Sequence, residues 1–186
     1  MLHTIRTSPD LPSATNEPTE LLLACHGRLR HFSELSRALA TRDDVEDAQI
    51  VDAAHRLVRY FRVALPLHEE DEERSLAPSL LARATAEQAD AMERMRDQHG
   101  LLHEVLAELF PLWETVEAEP RTLERKAARP HALRLATVLD VHLELEETLI
   151  FPMAAALPAG ERKRLAEEMR ARRSPEVFGE RLRIAT

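Results

Sequence analysis

One eleven-residue pattern occurs twice in this chain and restricts its fold more than any other feature. His68, Glu72, Glu73 and Pro78 recur as His142, Glu146, Glu147 and Pro152, each pair 74 positions apart, so both copies read H-x-x-x-E-E-x-x-x-x-P. A shorter match accompanies them: His26-Gly27 recurs as His99-Gly100 at an offset of 73. Two helical hairpins of common design, facing one another, account for both repeats. On a helix, residues i and i+4 lie on one face about one turn apart. His68 with Glu72, and His142 with Glu146, therefore each present an imidazole and a carboxylate in the same direction, and His26 and His99 add single imidazoles from the other two helices.

The surrounding sequence reads as helix. From about Pro18, Leu21, Leu22, Leu29, Phe32, Leu35 and Leu39 form an apolar stripe at helical spacing. The charged run 42–47 reads as a turn, and Ile50, Val51, Ala54, Leu57, Val58, Phe61 and Leu65 form a second stripe. Residues 75–85, which contain Pro78, read as a connection. A third helix covers roughly 86–118, with Met92, Met95, Leu102, Val105, Leu106, Leu109 and Trp113 on its apolar face, and Pro120 closes it. A fourth runs through Leu133, Leu135, Val138, Leu139, Val141 and Leu145 to about Ala156, with Pro130 marking its start or a break near its start. Pro158 then opens a short charged helix that ends near Ser174-Pro175. With only 4 glycines and 4% aromatics, and with alanine, leucine, glutamate and arginine abundant, the composition suits helices better than strands. The expected fold is all-α: an up-down-up-down four-helix bundle over 18–157, after an irregular lead-in at 1–17 and before a short charged C-terminal helix and tail at 158–186.

The histidine positions suit that bundle. Residues at one height on adjacent antiparallel helices are equidistant from the turn between them. The midpoint of His26 and His68 is 47, that of His68 and His99 is 83.5, and that of His99 and His142 is 120.5. All three fall on or beside a break assigned on other grounds, so the four imidazoles are expected at one level inside the bundle. Imidazole nitrogen and carboxylate oxygen together suit iron, manganese or zinc.

These residues make residues 18–157 resemble the hemerythrin-like, or HHE cation-binding, domain. The resemblance rests on His26, on H-x-x-x-E at His68 and Glu72, on His99, and on H-x-x-x-E at His142 and Glu146, with His103 adding H-x-x-x-H to His99. It implies a carboxylate-bridged pair of non-haem iron ions, with Glu72 and Glu146 bridging and the histidines capping. It also implies reversible binding or handling of O2, nitric oxide or peroxide, or iron sensing. In hemerythrins proper the second carboxylate lies five residues beyond its histidine, which makes Glu147 a competitor of Glu146. Glu69 is the alternative to Glu72 within the acidic run 69–73, and His103 is either a ligand or a hydrogen-bonding neighbour of one. Two other functions share the same site: an enzyme that turns over peroxide or nitric oxide, and a metal-responsive interaction module. Peroxide loss measured against an apo control separates the first from simple binding, and the effect of a chelator on folding separates the second.

The remaining features are plainer. A net charge of -8 argues against a general nucleic-acid partner. No apolar run approaches the roughly 18–20 residues of a membrane span, and the N-terminus shows no secretion signal. With Cys25 as the one cysteine, these features point to a reducing cytoplasm. Cys25 reads as a small buried hydrophobe, and His3, His31, His55 and His131 as surface residues. The charged segment 161–173 reads as a solvated helix or a self-association surface, compatible with a homodimer.

Overall fold

The computed structural model describes residues 15–185, and every regular element among them is helical. Helix α1 is Pro18–Thr41. Helix α2 follows one unbroken path over 47–81, in which π segments at Tyr60–Ala64 and Asp71–Leu76 separate the α stretches Asp47–Arg59, Leu65–Glu70 and Ala77–Leu81. Helix α3 is Ala86–Ala118. Helix α4 covers 125–155 as Arg125–Leu145, a π segment at Glu146–Ile150, and Phe151–Ala155. Helices α5 (Ala159–Arg172) and α6 (Pro175–Ala185) follow. The lead-in before residue 15 and His3 lie outside the described residues.

Local chemistry sets the ends. Thr85 caps α3 by accepting from the Gln88 N–H at 3.3 Å, while the Gln88 side chain accepts from the Thr85 N–H at 2.9 Å. Glu46 and Gln49 form the same reciprocal pair at the start of α2. Pro18 occupies the first turn of α1, where its missing N–H has no helical partner to lose.

Three sequence expectations need correction. Residues 75–85 are not a connection throughout, because the helix continues to Leu81. Pro78 is accommodated there by the π segment before it. Each of the three π segments ends two residues before a proline, namely Pro66, Pro78 or Pro152. A proline ring collides with the carbonyl four residues back, and the wider π turn displaces that carbonyl. Second, α4 begins at Arg125, so Pro130 lies inside it. Third, 161–173 is not a solvated helix: α5 buries Leu165, Ala166 and Met169 in the core, and α6 follows where a tail was expected.

In the bundle α1 packs against α4, α4 against α3, α3 against α2 and α2 against α1. Among the described residues its interior has two large apolar clusters, beside a small one of Ala40, Ala128 and Ala132. One contains Leu29, Phe32, Leu57, Leu65, Leu102, Trp113 and Leu139. The other contains Leu22, Leu76, Met92, Met95, Ile150 and Phe151, joined by Leu165 and Met169 of α5. Along the chain α1 passes from the second cluster to the first, α2 from the first to the second, and α3 and α4 repeat this. Each of these four helices therefore crosses the boundary between the clusters, and it does so at or beside its buried histidine. No helix among the described residues is long and apolar enough to cross a membrane.

Candidate metal centre

The boundary layer is polar and sealed. His26, Glu72, His142 and Glu146 are 0% exposed, and His68 and His99 are nearly so. The rings of His26 and His68 stand 5.2 Å apart, and those of His99 and His142 4.9 Å apart. Ligand-capable atoms fall into two groups, each with all its atoms within 4.8 Å of one another: His26, His68, Glu72 and Glu146 in one, and Glu72, His99, His142 and Glu146 in the other. Both carboxylates belong to both groups. One oxygen of Glu72 lies 3.0 Å from Nε2 of His68 and the other 3.3 Å from Nε2 of His99. Glu146 repeats the arrangement, 3.5 Å from Nε2 of His142 and 3.0 Å from Nε2 of His26. Each glutamate thus meets the histidine of its own helix and the single histidine of a neighbouring helix.

These approaches are close but lack the alignment of hydrogen bonds. Nε2 of all four histidines and both oxygens of Glu72 and Glu146 are buried without a hydrogen-bond partner. Leaving so many polar atoms unsatisfied in one small volume would be costly, at about 1–3 kcal/mol for each neutral group and more for a charge. A cation removes that cost, since every orphaned atom is a lone-pair donor aimed into the same space. The spacing fits as well. Two ligands at right angles on a metal, each about 2.1 Å from it, lie roughly 3 Å apart, which is the separation seen between these nitrogens and oxygens.

The outer nitrogens of the histidines are held. Nδ1 of His26 pairs with Oε1 of Glu147 at 2.7 Å, and Nδ1 of His99 with Oε1 of Glu73 at 2.6 Å. Nδ1 of His142 lies 3.3 Å from the Gln98 side-chain oxygen, whereas Nδ1 of His68 is buried without a partner. The second glutamate of each H-x-x-x-E-E pattern therefore has its own task. It accepts from the back of the single histidine that the first glutamate meets from the front. Such a carboxylate contact fixes the ring tautomer, leaving Nε2 as the free donor toward a metal. Both acids of each pair lie on a π segment, Glu72 and Glu73 on one and Glu146 and Glu147 on the other.

Burial also sets the protonation of the centre. Glu146 is pushed up to about 8, first by burial and then by the nearby Glu72 carboxyl. Burial raises Glu72 well above the usual range, and it holds His68 and His142 well below theirs, with His26 and His99 respectively adding repulsion. A divalent cation would reverse the carboxyl shifts by favouring the ionised form.

Six of the seven candidate ligands are thus brought together. His103 is not: its side chain is 59% exposed, and its Nε2 meets both oxygens of Glu69, at 2.9 and 3.0 Å. Glu69 is buried beside the centre but turned to His103, outside both groups. Glu147, the competitor of Glu146, is the partner of His26 instead. Among the other histidines, His55 is exposed against Glu117, and His31 is half-buried, 3.4 Å from Arg56. The sequence pattern assigns no role to Asp71 within the acidic run 69–73, yet it is 1% exposed and paired with Arg172 and Arg173. The available signal was the repeat itself, in which position 71 pairs with Leu145, a core residue.

The hemerythrin HHE cation binding domain matches residues 17–154, a stretch that contains all six clustered candidate ligands and ends before α5. A protein of Haemophilus influenzae, described as uncharacterized, is 29% identical over 164 residues, covering 85% of this chain and 91% of that one. The matched stretch spans the bundle helices that carry the buried layer of histidine and glutamate donors, and the chain belongs to the hemerythrin HHE cation-binding domain family.

Proposed function

We propose that this domain holds two non-haem iron ions bridged by Glu72 and Glu146, and that it binds or responds to O2 or a related small oxidant such as nitric oxide or peroxide. The observation that carries the reading is the sharing of both carboxylates between two four-donor groups. Two imidazoles and two carboxylates would hold the ion at each position, a mixed nitrogen and oxygen donor set that suits non-haem iron. Bound iron would supply a redox couple and a coordination position for the small molecule. The protein supplies the rest. Glu73 and Glu147 orient His99 and His26, and the apolar clusters on either side keep bulk water from the layer. The imidazole-rich donor set moderates the charge, which favours reversible binding over strong oxidation.

The test is metal analysis of the purified chain together with its visible spectrum, recorded after anaerobic reduction and again after exposure to air. Two irons per chain with a charge-transfer band that appears and disappears reversibly supports the reading. Two irons that oxidise irreversibly turn it toward peroxide or nitric oxide chemistry. Protein loaded anaerobically with ferrous iron that retains none refutes it.

A further inference from the structure

Helices α5 and α6 lie beyond the stretch shared with the family, yet they grip the ligand-bearing part of α2. Asp71 precedes Glu72 directly. It accepts from Nη1 of Arg172 at 2.6 Å and from Nη1 of Arg173. The Arg173 side chain is itself only 4% exposed, and its other terminal nitrogen lies 3.8 Å from Sγ of Cys25, the neighbour of His26. Arg172 also donates to Ser75 Oγ, and Arg181 of α6 donates to both oxygens of Glu70 at 2.8 Å. The contacts thus bracket Glu72 on both sides within one turn of helix.

The internal repeat supplies the control. At the offset of 74, Asp71 and Ser75 correspond to Leu145 and Leu149, so the second copy offers no ionic or hydroxyl group there. It carries Glu146 in the same geometry with Leu145 packed in the apolar cluster. A buried ion pair in place of a leucine is seldom justified by stability alone, since apolar replacements are often as stable. What paired guanidinium and carboxylate groups supply is direction, because each bond has a fixed orientation. The π segment at Asp71–Leu76 has to present Glu72 to two histidines and Glu73 to a third contact at once, and a rotation of that turn would misaim all of them.

We propose that Arg172 and Arg173 are positioning residues of the metal centre: by holding Asp71 they fix the turn that aims Glu72 and Glu73, which makes the C-terminal helices part of the binding site. This rests on the metal-binding reading above. The test uses the full chain, anaerobic titration with ferrous iron against a competing coloured chelator, and melting of the metal-free protein. Asp71→Asn and Arg173→Met should each raise the iron dissociation constant by about 10–100-fold. The double variant Asp71→Asn/Arg173→Met orphans no charge at that pair, so it should regain melting temperature lost by either single change while its iron affinity stays low. If a single variant fails to fold, the double variant decides. Affinity within about twofold of the parent, or affinity that returns together with the melting temperature, overturns the proposal and leaves the clamp a purely structural one. A parent chain that binds no iron overturns the underlying reading as well, and that result is seen before any variant is compared.

Discussion

Stripped of metal, the folded chain should be most stable in mildly acidic solution and should weaken above neutrality. Glu146 titrates at about 8 in the fold, against an ordinary 4.5, and Glu72 is shifted in the same direction. Over that interval the folded state holds protons that the unfolded chain has released, so stability falls as pH rises. His68 and His142 act in the opposite sense. Their folded values lie well below the ordinary 6.5, so the stability they contribute is present above 6.5 and lost as pH falls below it. Below 6.5 the two effects oppose each other, and above 6.5 only the carboxyls remain. At about 1.4 kcal/mol per proton per pH unit, Glu146 alone makes the step from pH 6.5 to pH 8 cost about 2 kcal/mol. For a chain of this size, that lowers the melting temperature by about 4–8 °C. Metal ligands must be deprotonated, so iron-loaded protein should lose little over the same step, and its iron affinity should rise with pH. Thermal melts of chelator-treated and iron-loaded protein at several pH values across this range provide the assay. A metal-free melting temperature that stays flat or rises would refute the protonated carboxyl pair, and a parallel decline in loaded protein would refute its engagement by metal.

Other perturbations separate the roles of individual residues. Glu72→Gln or Glu146→Gln removes a donor common to both groups, so total bound iron should fall by more than the single position lost on replacing His142 by Ala; equal losses would contradict the sharing. Replacing Glu147 by Gln keeps Glu146 in place but weakens the hold on His26, and iron affinity should drop by about 10–100-fold in a chelator competition. Leu57, fully buried in the cluster away from α5, should cost about 2–5 kcal/mol when cut to Ala, read by denaturant unfolding, with iron stoichiometry at low temperature unchanged. An iron loss in that variant would mean that the two clusters and the layer between them do not behave as separable parts.

Much of this protein is legible in its order of residues. The period of the apolar positions marks the four helices, because a 3.6-residue repeat can bury one stripe only by packing against others. The duplicated H-x-x-x-E pattern marks the layer, because i and i+4 share a face whatever the helix packs against. Helix α3 shows how far local rules reach: Thr85 with Gln88 sets its start and Pro120 its end. Where local rules misled, a neighbour had changed the outcome. Pro78 signals a break by itself, yet the helix runs through it once the preceding turn widens. Asp71 belongs on a surface by composition, and it is buried because two arginines about a hundred residues later close over it.

The same distinction governs the centre. Residue spacing alone determined which imidazoles and carboxylates share a helical face, and that four helices bring them to one level. It left undecided whether Glu146 or Glu147, and whether Glu72 or Glu69, faces the layer, and whether His103 reaches it. Those depend on rotations of a fraction of a turn and on partners distant in sequence. Glu146 faces inward while Glu147 turns to His26, across 121 positions, and His103 turns outward to Glu69. A side chain's direction within a face is set by what meets it there, and only the packed helices bring those partners into reach.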